Sequence, residues 1–520
     1  MSGRFLSTVL VAGLLVVLTL GGLSVAGTAQ GVFRAAMQTS PPTLDPHMTT
    51  TTATQQIAVH VFETLVTFGE DYSTILPVLA KSWEVSPNNL VYTFRLEEKA
   101  KFHTGKSLTA GDVAASYRRI KEFSPIGGEF GAVERIDVLG TRIVRFVLNR
   151  PVDLIRVMAG PVTWQAIMPQ SLVEAAGAEE LKIPNLIGTG PYKLKEWRPG
   201  VHVLVEKFEE YIPYTNAPRS GFGGQKIAHF DEVRFMPVTE VGARIAGLET
   251  GTYDYAEALP VATLNRLQAN ANITPRIQKP LWALVWELNQ SEPPMDNVKF
   301  RQAVLAALNM EEVNRTVAMN DPAFYRTQPS FWYPEQTLLH NREGDVFYNQ
   351  SDPERARRLL EEAGYQGEDI ILLSNRDYDW MYRHTLTAAA QLERAGIKIR
   401  LEFSDWPSQI GKALSMKGWH INQTGFSYWF GVVHAQGSFM CDAPYSYGYC
   451  NTEMDALLGQ AALKKSDEEL RELAMEIQRL AYEDVPLIRF GDYFGLEAVR
   501  ANVTGFASWY VTPRFWGVRK

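Results

Sequence analysis

Apolar and polar positions repeat with two different periods along the chain, which indicates strands mixed with helices. The segment 91–96 (V-Y-T-F-R-L) alternates strictly, a pattern typical of a half-buried strand. Thr109 and Asp112 then form a capping box ahead of an apolar stripe at helical spacing, which indicates the start of a helix. Because the two patterns stay mixed throughout the chain, the sequence predicts an α/β protein.

Two later helices carry clear start and stop signals. Asp352 caps a helix that begins with a proline, and Gly364 ends it. Ser466 and Glu469 form a second capping box. The helix that follows this box has to end before Pro486, because proline breaks a helix interior.

The segment 369–430 carries the pattern that bears most on function. A buried strand at 369–374 precedes a helix over 381–395, and a strictly alternating strand follows over 397–403. This order predicts a β-α-β unit with two parallel strands and a right-handed crossover. A third strand is predicted over 419–425, after another short helix.

Polar and aromatic residues follow all three predicted strands, and ligands of open parallel sheets bind beyond the carboxyl ends of the strands. Such residues suit a small-molecule cleft. Asn375 and Asp405 belong to this set. The alternative for any single position is a loop residue packed inward, but the set as a whole favours a cleft. The predicted ligand-binding residues are Arg376, Tyr378, Trp406, Phe426, Tyr428 and Trp429.

The first thirty residues have the three parts of a secretory signal peptide. Arg4 gives a positive start, the run from Leu6 to Val25 is apolar or small, and small residues continue to Ala29. Cleavage is predicted after Ala29. The alternative is a membrane anchor, since about twenty apolar residues span a bilayer. The apolar run does not end in cysteine, so we predict a free periplasmic protein without a lipid anchor.

Composition narrows the range of partners. The chain has 520 residues and a formal net charge of −7, and it lacks a basic cluster, which argues against a nucleic-acid partner. Its length predicts two or three compact lobes. Cys441 and Cys450 are the two cysteines, and in an oxidising compartment a close pair predicts a disulfide. A metal or redox site is the weaker alternative, because no histidine lies between them.

No catalytic arrangement is recognisable in the sequence. The nine histidines form no H-E-x-x-H pair, and no G-x-S-x-G elbow occurs. We therefore predict a protein that is not an enzyme and has no catalytic residue, metal or cofactor. The G-T-G-P-Y segment at 188–192 lacks the G-K-[ST] ending of a phosphate loop and is interpreted as a tight turn. The H-T-G segment at 103–105 is interpreted as a turn that stabilises the fold.

A series of sequence blocks resembles family 5 of the extracellular solute-binding proteins, which includes the dipeptide-, oligopeptide- and nickel-binding receptors of ABC importers. The resemblance extends over more than 400 residues and nearly the whole mature chain. Single blocks are only moderately specific, but their number and order are very specific. The blocks are T-L-D-P-H at 43–47, P-V-L-A-K-S-W-E-V-S at 77–86, V-Y-T-F-R-L at 91–96, K-F-H-T-G-K-S-L-T-A-G-D-V at 101–113, G-T-G-P-Y-K-L-K-E-W at 188–197, R-I-A-G-L-E-T-G-T-Y-D at 244–254, E-L-N-Q at 287–290, N-V-K-F-R-Q-A-V-L-A-A-L-N at 297–309, A-R-R-L-L-E-E-A-G-Y at 356–365 and E-D-V-P-L-I at 483–488.

The resemblance implies a two-lobed periplasmic-binding-protein fold with a hinge and an interlobe cleft. The first lobe is expected to hold 31–275 and 485–520, enlarged by an extra subdomain at about 50–180. The second lobe is expected to hold 276–484, and the two crossovers form the hinge. Such a protein captures a small solute by lobe closure. It is expected to act as a monomer that delivers the solute to ABC permease subunits with their ATPase.

The resemblance also bears on the ligand. In peptide-binding relatives an arginine at the position of Arg376 holds the ligand carboxylate, and a pocket tyrosine lies at the position of Tyr378. The alternative for Arg376 is a surface ion pair with Asp377 or Asp379. Those relatives also pair the ligand's α-amino group with an aspartate after the third strand, whereas this chain has no acidic residue from 424 to 434.

A buried ammonium without a counter-charge is costly. We therefore hypothesise that the ligand lacks a free α-amino group there or that another anion, Asp379 or Asp405, pairs with it. A sugar or oligosaccharide, and a nickel chelate held by His434, are alternative ligands. An extracellular sensor or hydrolase on the same fold is the alternative function.

Overall fold

The computed structural model describes residues 31–160, 163–426, 437–441, 443, 445–463 and 466–520. The predicted signal peptide, Tyr428, Trp429 and His434 lie outside the described residues. Among the described residues, no helix is both long and apolar enough to cross a membrane.

Strands and helices are mixed along the described chain, as the sequence predicts. The strands are β1 (Val32–Met37), β2 (Val66–Phe68), β3 (Ile75–Pro77), β4 (Ala80–Val85), β5 (Val91–Leu96), β6 (Val133–Val138), β7 (Ile143–Leu148), β8 (Tyr192–Arg198), β9 (His202–Lys207), β10 (Glu232–Pro237), β11 (Tyr255–Leu259), β12 (Ile273–Leu288), β13 (Tyr325–Arg326), β14 (Ile370–Asn375), β15 (Ile399–Ser404), β16 (Ile421–Phe426), β17 (Leu487–Arg500), β18 (Ala507–Trp509) and β19 (Thr512–Arg514).

The α-helices of the described residues are α1 (Thr52–Val61), α2 (Ala110–Phe123), α3 (Leu154–Met158), α4 (Gln170–Ala176), α5 (Val241–Thr250), α6 (Leu264–Gln268), α7 (Val298–Ala307), α8 (Met310–Val317), α9 (Pro353–Ala363), α10 (Asp379–Arg394), α11 (Trp406–Leu414), α12 (Thr452–Ala461) and α13 (Asp467–Asp484).

The local signals in the sequence are confirmed. The capping boxes of Thr109 with Asp112 and of Ser466 with Glu469 are both complete. Gly364 ends α9 in the left-handed conformation, with φ of 74°, which glycine adopts without the steric penalty of a side chain. The helix predicted over 381–395 begins two residues earlier, because it includes Asp379 and Trp380.

The predicted β-α-β unit is present. β14 and β15 pair in parallel with Ile370 opposite Ile399, and α10 connects them. β16 pairs in parallel with the other edge of β14. The third strand lies close to its predicted range, beginning two residues later and ending one residue later.

A long ribbon of β12 and β17 occupies the centre of an eleven-stranded sheet. The order of this sheet is β15-β14-β16-β12-β17-β11-β1-β10-β9-β8, and β13 also pairs with β17. The ribbon is antiparallel, with Ile273 opposite Arg500 at one end and Glu287 opposite Leu487 at the other. Its two strands therefore connect the part of the sheet around β14 with the part around β1.

A separate four-stranded sheet has the order β4-β5-β7-β6. Its inward residues, such as Phe94 and Phe146, belong to the same continuous apolar core as Trp286 and Phe490 of the ribbon. A backbone hydrogen bond of 2.6 Å runs from Asp153, just after β7 of the small sheet, to the carbonyl oxygen of Ala462, just after α12. The small sheet is thus packed onto the rest of the molecule.

The predicted disulfide is confirmed. Cys441 and Cys450 are bonded, and their Cα atoms are 4.2 Å apart. The bridge closes a short loop that contains Tyr447. The Tyr447 ring is buried and packs edge-on against Trp419, with the ring centroids 5.1 Å apart.

Candidate functional site

Two sets of parallel-strand carboxyl ends converge on the middle of the ribbon. β11, which is parallel to β1, ends with Leu259 opposite Leu496 of β17. β16, which is parallel to β14, ends with Phe426 opposite Ala283 of β12. Since Leu496 itself lies opposite Ile277, the two strand ends point toward each other along the ribbon. The carboxyl ends of parallel strands are the usual ligand-binding edge of such sheets.

The ribbon between these two ends forms a short floor that is partly accessible, since Lys279 is exposed and Trp282 and Tyr493 are half-buried. The register is irregular between Gln278 and Trp282, opposite Tyr493 to Gly495. Ile277 and Ala283 are six positions apart, so at about 3.3 Å per residue the strand ends are at most roughly 20 Å apart. This spacing suits a small organic molecule rather than a macromolecule.

Tyr378 and Trp406 come together as the sequence predicts. Their rings meet edge-on with centroids 5.7 Å apart, and both side chains are half-buried. The carboxylate of Asp377 accepts the backbone N–H of Trp406 at 2.7 Å, which ties the loop after β14 to the start of α11. Burial, together with the charge of Asp377, raises the pKa of the Tyr378 hydroxyl.

Trp380 and Tyr493 extend this aromatic group to the ribbon, and the sequence analysis missed both. Their rings are stacked at 6.1 Å with an interplanar angle of 27°, and Trp380 lies 6.3 Å from Tyr378. A Cβ added to Gly425 would lie 2.9 Å from the Trp380 ring, so glycine allows the indole to pack over β16. Tyr378, Trp380, Trp406 and Tyr493 form what we call the aromatic wall.

Arg376 follows β14 but turns toward the edge strand β15. Its guanidinium lies 5.3 Å from the Tyr382 ring and 5.1 Å from the Phe403 ring, and the side chain is exposed. Cation–π contacts of this kind contribute about 0.5–1 kcal/mol at exposed sites. A carboxylate-binding role for Arg376 therefore requires its side chain to leave these two rings, and that role stays a prediction.

The two acidic residues considered as ammonium partners are already engaged. Asp379 pairs with Arg383, one helical turn further along α10. Asp405 caps α11 by accepting the backbone N–H of Ser408 at 3.0 Å and its hydroxyl at 2.8 Å. Both carboxylates therefore already have protein partners in the described structure.

Phe426 is half-buried at the end of β16. Its backbone carbonyl oxygen accepts a hydrogen bond of 3.4 Å from the Tyr333 hydroxyl, so the third strand tip is tied to the segment before β14. Tyr428 and Trp429 follow directly but lie outside the described residues, and their predicted role is untested.

Two buried carboxyl groups lie on neighbouring strands, one on β17 of the ribbon and one on β11 beside it. Glu257 of β11 accepts the backbone N–H of Gln38 at 2.6 Å and the side-chain amide of Gln56 at 2.7 Å. Glu497 of β17 accepts the hydroxyls of Tyr255 and Ser508. Burial raises the pKa of Glu257, and it raises the pKa of Glu497 to about 7. The sequence contained no local signal for this pair, because its members are 240 positions apart.

A crevice opens at the carboxyl ends of β1 and β10. Its lining includes Thr39, Ser40, Phe235 and Pro237, together with His202 from the start of β9. A second crevice lies beside the buried ion pair of Glu63 and Lys226. Within the described ranges, no group of three or more His, Cys, Asp or Glu side chains is arranged to hold a metal ion.

The two glycine-containing motifs contact each other. The His103 ring accepts the backbone N–H of Gly188 at 3.2 Å and lies 3.1 Å from the carbonyl oxygen of Gly190. A Cβ at Gly188 would lie 2.0 Å from the Val61 carbonyl oxygen, so only glycine fits this close approach. Burial lowers the pKa of His103 to about 4. This geometry agrees with the interpretation of both motifs as turns that stabilise the fold.

Comparison with known proteins identifies the family. Residues 74–444 match the model of bacterial extracellular solute-binding proteins, family 5. The chain belongs to this family. It is 26% identical over 498 residues to a probable peptide ABC transporter periplasmic-binding protein, y4tO of Sinorhizobium fredii, covering 92% of this chain and 91% of the relative. It is 27% identical over 492 residues to the glutathione-binding protein GsiB of Salmonella typhi, covering 89% of each.

Solved structures agree with this assignment at the level of the fold. The binding protein AgaA of A. tumefaciens R10, solved in complex with agropinic acid, matches with a TM-score of 0.78 at 23% identity. The match covers 92% of this chain and 95% of AgaA. The predicted two-lobed α/β fold of periplasmic binding proteins is thereby confirmed. Family 5 proteins are the solute-binding components of ABC importers and not enzymes, so the predicted function class is confirmed as well.

Proposed function

We propose that this family 5 protein closes two lobes over a small amino-acid-derived solute at the middle of the β12–β17 ribbon. The first lobe would comprise 31–275 and 485–520, with an extra subdomain at about 50–180, and the second 276–484. The observation that carries the proposal is the convergence of two sets of parallel-strand carboxyl ends on one short stretch of ribbon. Hinged closure brings such edges together around a ligand.

The aromatic wall supports an organic ligand with a flat or apolar face. Aromatic side chains supply large contact area and a fixed geometry for stacking, and ligand pockets combine such surfaces with few polar groups. We propose that Arg376, Tyr378, Trp406, Phe426, Tyr428 and Trp429 bind the ligand, joined by Trp380 and Tyr493. Arg376 would swing from its two rings to meet a ligand carboxylate through a charge-assisted pair.

The ligands of the relatives support an amino-acid derivative. GsiB is named for glutathione, the y4tO relative for peptides, and AgaA was solved with agropinic acid. The engaged state of Asp379 and Asp405 supports a ligand whose amino group is blocked or conjugated, since a lone buried ammonium is costly.

The sequence features of the N-terminus support export of this protein. Residues 1–29 would be removed as a signal peptide, leaving a free periplasmic monomer without a lipid anchor. This monomer would deliver its solute to ABC permease subunits coupled to an ATPase.

Isothermal titration calorimetry tests the ligand class. The panel comprises agropinic acid, glutathione, ordinary dipeptides and the same dipeptides N-acetylated. We expect agropinic acid and the acetylated dipeptides, whose α-nitrogen is substituted, to bind more tightly than glutathione and ordinary dipeptides, which keep a free α-amino group. We also expect a loss of affinity of about tenfold or more in Trp380→Ala. Trp197→Ala, on the distant strand β8, is the matched control and should leave affinity unchanged.

Two results would count against this proposal. Tight binding of ordinary dipeptides that disappears on acetylation would refute the blocked-amine ligand. Equal losses of affinity in Trp380→Ala and Trp197→Ala would refute the aromatic wall as the site.

A further inference from the structure

Buried side-chain amides on β14, α11 and β16 form a continuous chain of hydrogen bonds. The backbone N–H of Tyr378 donates to the side-chain oxygen of Asn375 at 3.0 Å. The Asn375 amide donates to Gln409 at 2.7 Å, and Gln409 donates to Asn422 at 2.7 Å. Asn422 donates to a carboxylate oxygen of Glu287, again at 2.7 Å. We call these four side chains the amide relay.

The relay is buried, and all of its hydrogen bonds are donated in the same direction along the chain of side chains. The exposed fractions of its side chains are 0% for Asn375, 1% for Gln409, 0% for Asn422 and 5% for Glu287. Every amide donates toward Glu287 and accepts from the Tyr378 side, so each fixes the orientation of the next. Hydrogen bonds that are aligned in this way strengthen one another in a low dielectric. Loss of one member leaves its neighbours buried without partners, which costs more than the single bond.

The three amide members of the relay each lie on, or directly before, a segment that carries a proposed ligand residue. Asn375 ends β14, directly before Arg376. Gln409 lies in the first turn of α11, which begins at Trp406. Asn422 lies on β16, which ends at Phe426. Gln409 also donates to the backbone carbonyl oxygen of Gln423 at 2.7 Å, so one side chain joins all three elements.

The relay ends at a carboxyl group whose partners are hydrogen-bond donors. Tyr447 lies beside Glu287, and burial together with the charge of Glu287 raises the pKa of the Tyr447 hydroxyl. Tyr447 is held in place in turn, because its carbonyl oxygen accepts the backbone N–H of Gln290 at 2.8 Å. Burial raises the pKa of Glu287 to about 7, and the hydrogen bond from Asn422 opposes that rise. The hydrogen bond from Asn422 therefore helps to fix the position of the Glu287 carboxyl group.

We propose that Asn375, Gln409, Asn422 and Glu287 are positioning residues that hold Tyr378, Trp406 and Phe426 in ligand-binding register with one another. They contact no ligand themselves; they fix the loop after β14, the start of α11 and the end of β16 as one rigid edge. This inference rests on the proposed function for its biological meaning, but the rigidity of the edge is a property of the ligand-free protein and can be tested without any ligand.

Hydrogen exchange followed by mass spectrometry tests the proposal on the ligand-free protein. Gln409→Leu should accelerate exchange of the amides in 376–382 and 406–412 by about tenfold or more. The matched control is Gln391→Leu. Gln391 is equally buried in the same lobe and also makes three hydrogen bonds, to Asn309 and Glu312, but it lies near the far end of α10. It should destabilise the protein without accelerating those two segments selectively.

A donor–acceptor exchange separates the relay from simple packing. Asn422→Asp places two carboxyl groups face to face and should accelerate exchange at 376–382 strongly. The double variant Asn422→Asp/Glu287→Gln restores a donor opposite an acceptor, with Gln409 still donating to position 422. It should return exchange at 376–382 to within about threefold of wild type. If Gln409→Leu or Asn422→Asp fails to fold, folding of the double variant with slow exchange at 376–382 still supports the relay.

Two results would overturn the proposal. One is the same exchange pattern in Gln409→Leu and Gln391→Leu. The other is a double variant whose exchange at 376–382 stays as fast as in Asn422→Asp. Neither result depends on the ligand, so failure of the calorimetric panel and failure of the relay are distinguishable.

Discussion

Two buried carboxylates in different parts of the molecule are held in opposite ways. Glu63, before β2, accepts hydrogen bonds from Thr189, Tyr211 and Tyr214 and forms an ion pair of 2.7 Å with Lys226. Glu287, on β12, accepts a hydrogen bond of 2.7 Å from the neutral amide of Asn422. The Glu63 group is a buried ion pair that joins distant segments of the chain. The Glu287 group is the end of a chain of neutral amides that leads to the proposed ligand site.

The difference shows which part of the fold depends on charge and which on hydrogen-bond geometry. A buried ion pair is strongly destabilised when one partner is removed, because the other charge stays buried. A neutral chain responds to changes in shape and donor direction instead. The first type suits a scaffold, and the second suits an edge that has to keep its side chains in register for a ligand.

Lys226→Met gives the largest expected effect on this comparison. The Glu63 carboxylate then stays buried without its cation, and the free energy of unfolding should fall by about 3–5 kcal/mol. Urea denaturation measures the loss. The matched control is Lys195→Met at an exposed pair with Glu232, where solvent screens the charges and the loss should be much smaller. Equal losses in the two variants would show that the buried ion pair of Glu63 and Lys226 contributes no more to stability than an exposed pair.

Removal of the disulfide tests the loop that places Tyr447 beside Glu287, at the end of the amide relay. The double variant Cys441→Ala/Cys450→Ala should lose about 2–3 kcal/mol of unfolding free energy, because the loop that carries Tyr447 is no longer closed in the unfolded chain. Urea denaturation of the oxidised wild type gives the reference. Dithiothreitol should lower wild-type stability toward that of the double variant and leave the variant unchanged. Wild-type stability that does not respond to dithiothreitol would contradict this expectation.

His384, which packs beside β12, gives the region around Glu287 a pH-dependent stability. Its ring packs between Trp286 and Phe490, and neither ring nitrogen has a hydrogen-bond partner among the described residues. Burial lowers the pKa of His384 from 6.5 to about 3. The unfolded chain therefore binds a proton first, so the stability present above pH 6.5 is lost as the pH falls toward 3, by about 1.4 kcal/mol per pH unit.

His384→Leu should remove this share of the acid sensitivity. Urea denaturation at pH 7.0, 6.0 and 5.0 measures the slope for the variant and for the wild type. His229→Leu, at a half-buried site, is the control and should change the slope less. If the slope of His384→Leu matched that of wild type, His384 would not be neutral in the folded protein.

Local signals in the sequence were sufficient for the elements and for part of the site. Caps and stops are contacts within one helical turn, so Asp352 and Gly364 could be read from neighbouring residues. The β-α-β unit follows from two periods and the handedness rule. The proximity of Tyr378 and Trp406 could be predicted because each follows the end of a parallel strand, and those ends meet at one edge; their role in binding stays a prediction.

The remaining features depend on pairings that no local pattern records. Tyr493 reaches the site only because β17 lies beside β12 in a register set by the whole ribbon. Glu63 and Lys226 are 163 positions apart. Asn422 looks like any polar residue of a strand until Gln409 and Glu287 lie on its two sides. The sequence analysis missed these residues because their positions depend on contacts between segments that are far apart in the sequence.

Fluorine NMR of protein labelled with 5-fluorotryptophan tests the position of the site most directly. Trp380→Phe and Trp406→Phe variants assign the two resonances, and Trp197 serves as a remote reference. On titration with the tightest-binding member of the panel of agropinic acid, glutathione and dipeptides, the Trp380 and Trp406 resonances should shift while that of Trp197 stays in place. Saturation that leaves both Trp380 and Trp406 unshifted would contradict a ligand site at the carboxyl ends of β14 and β16.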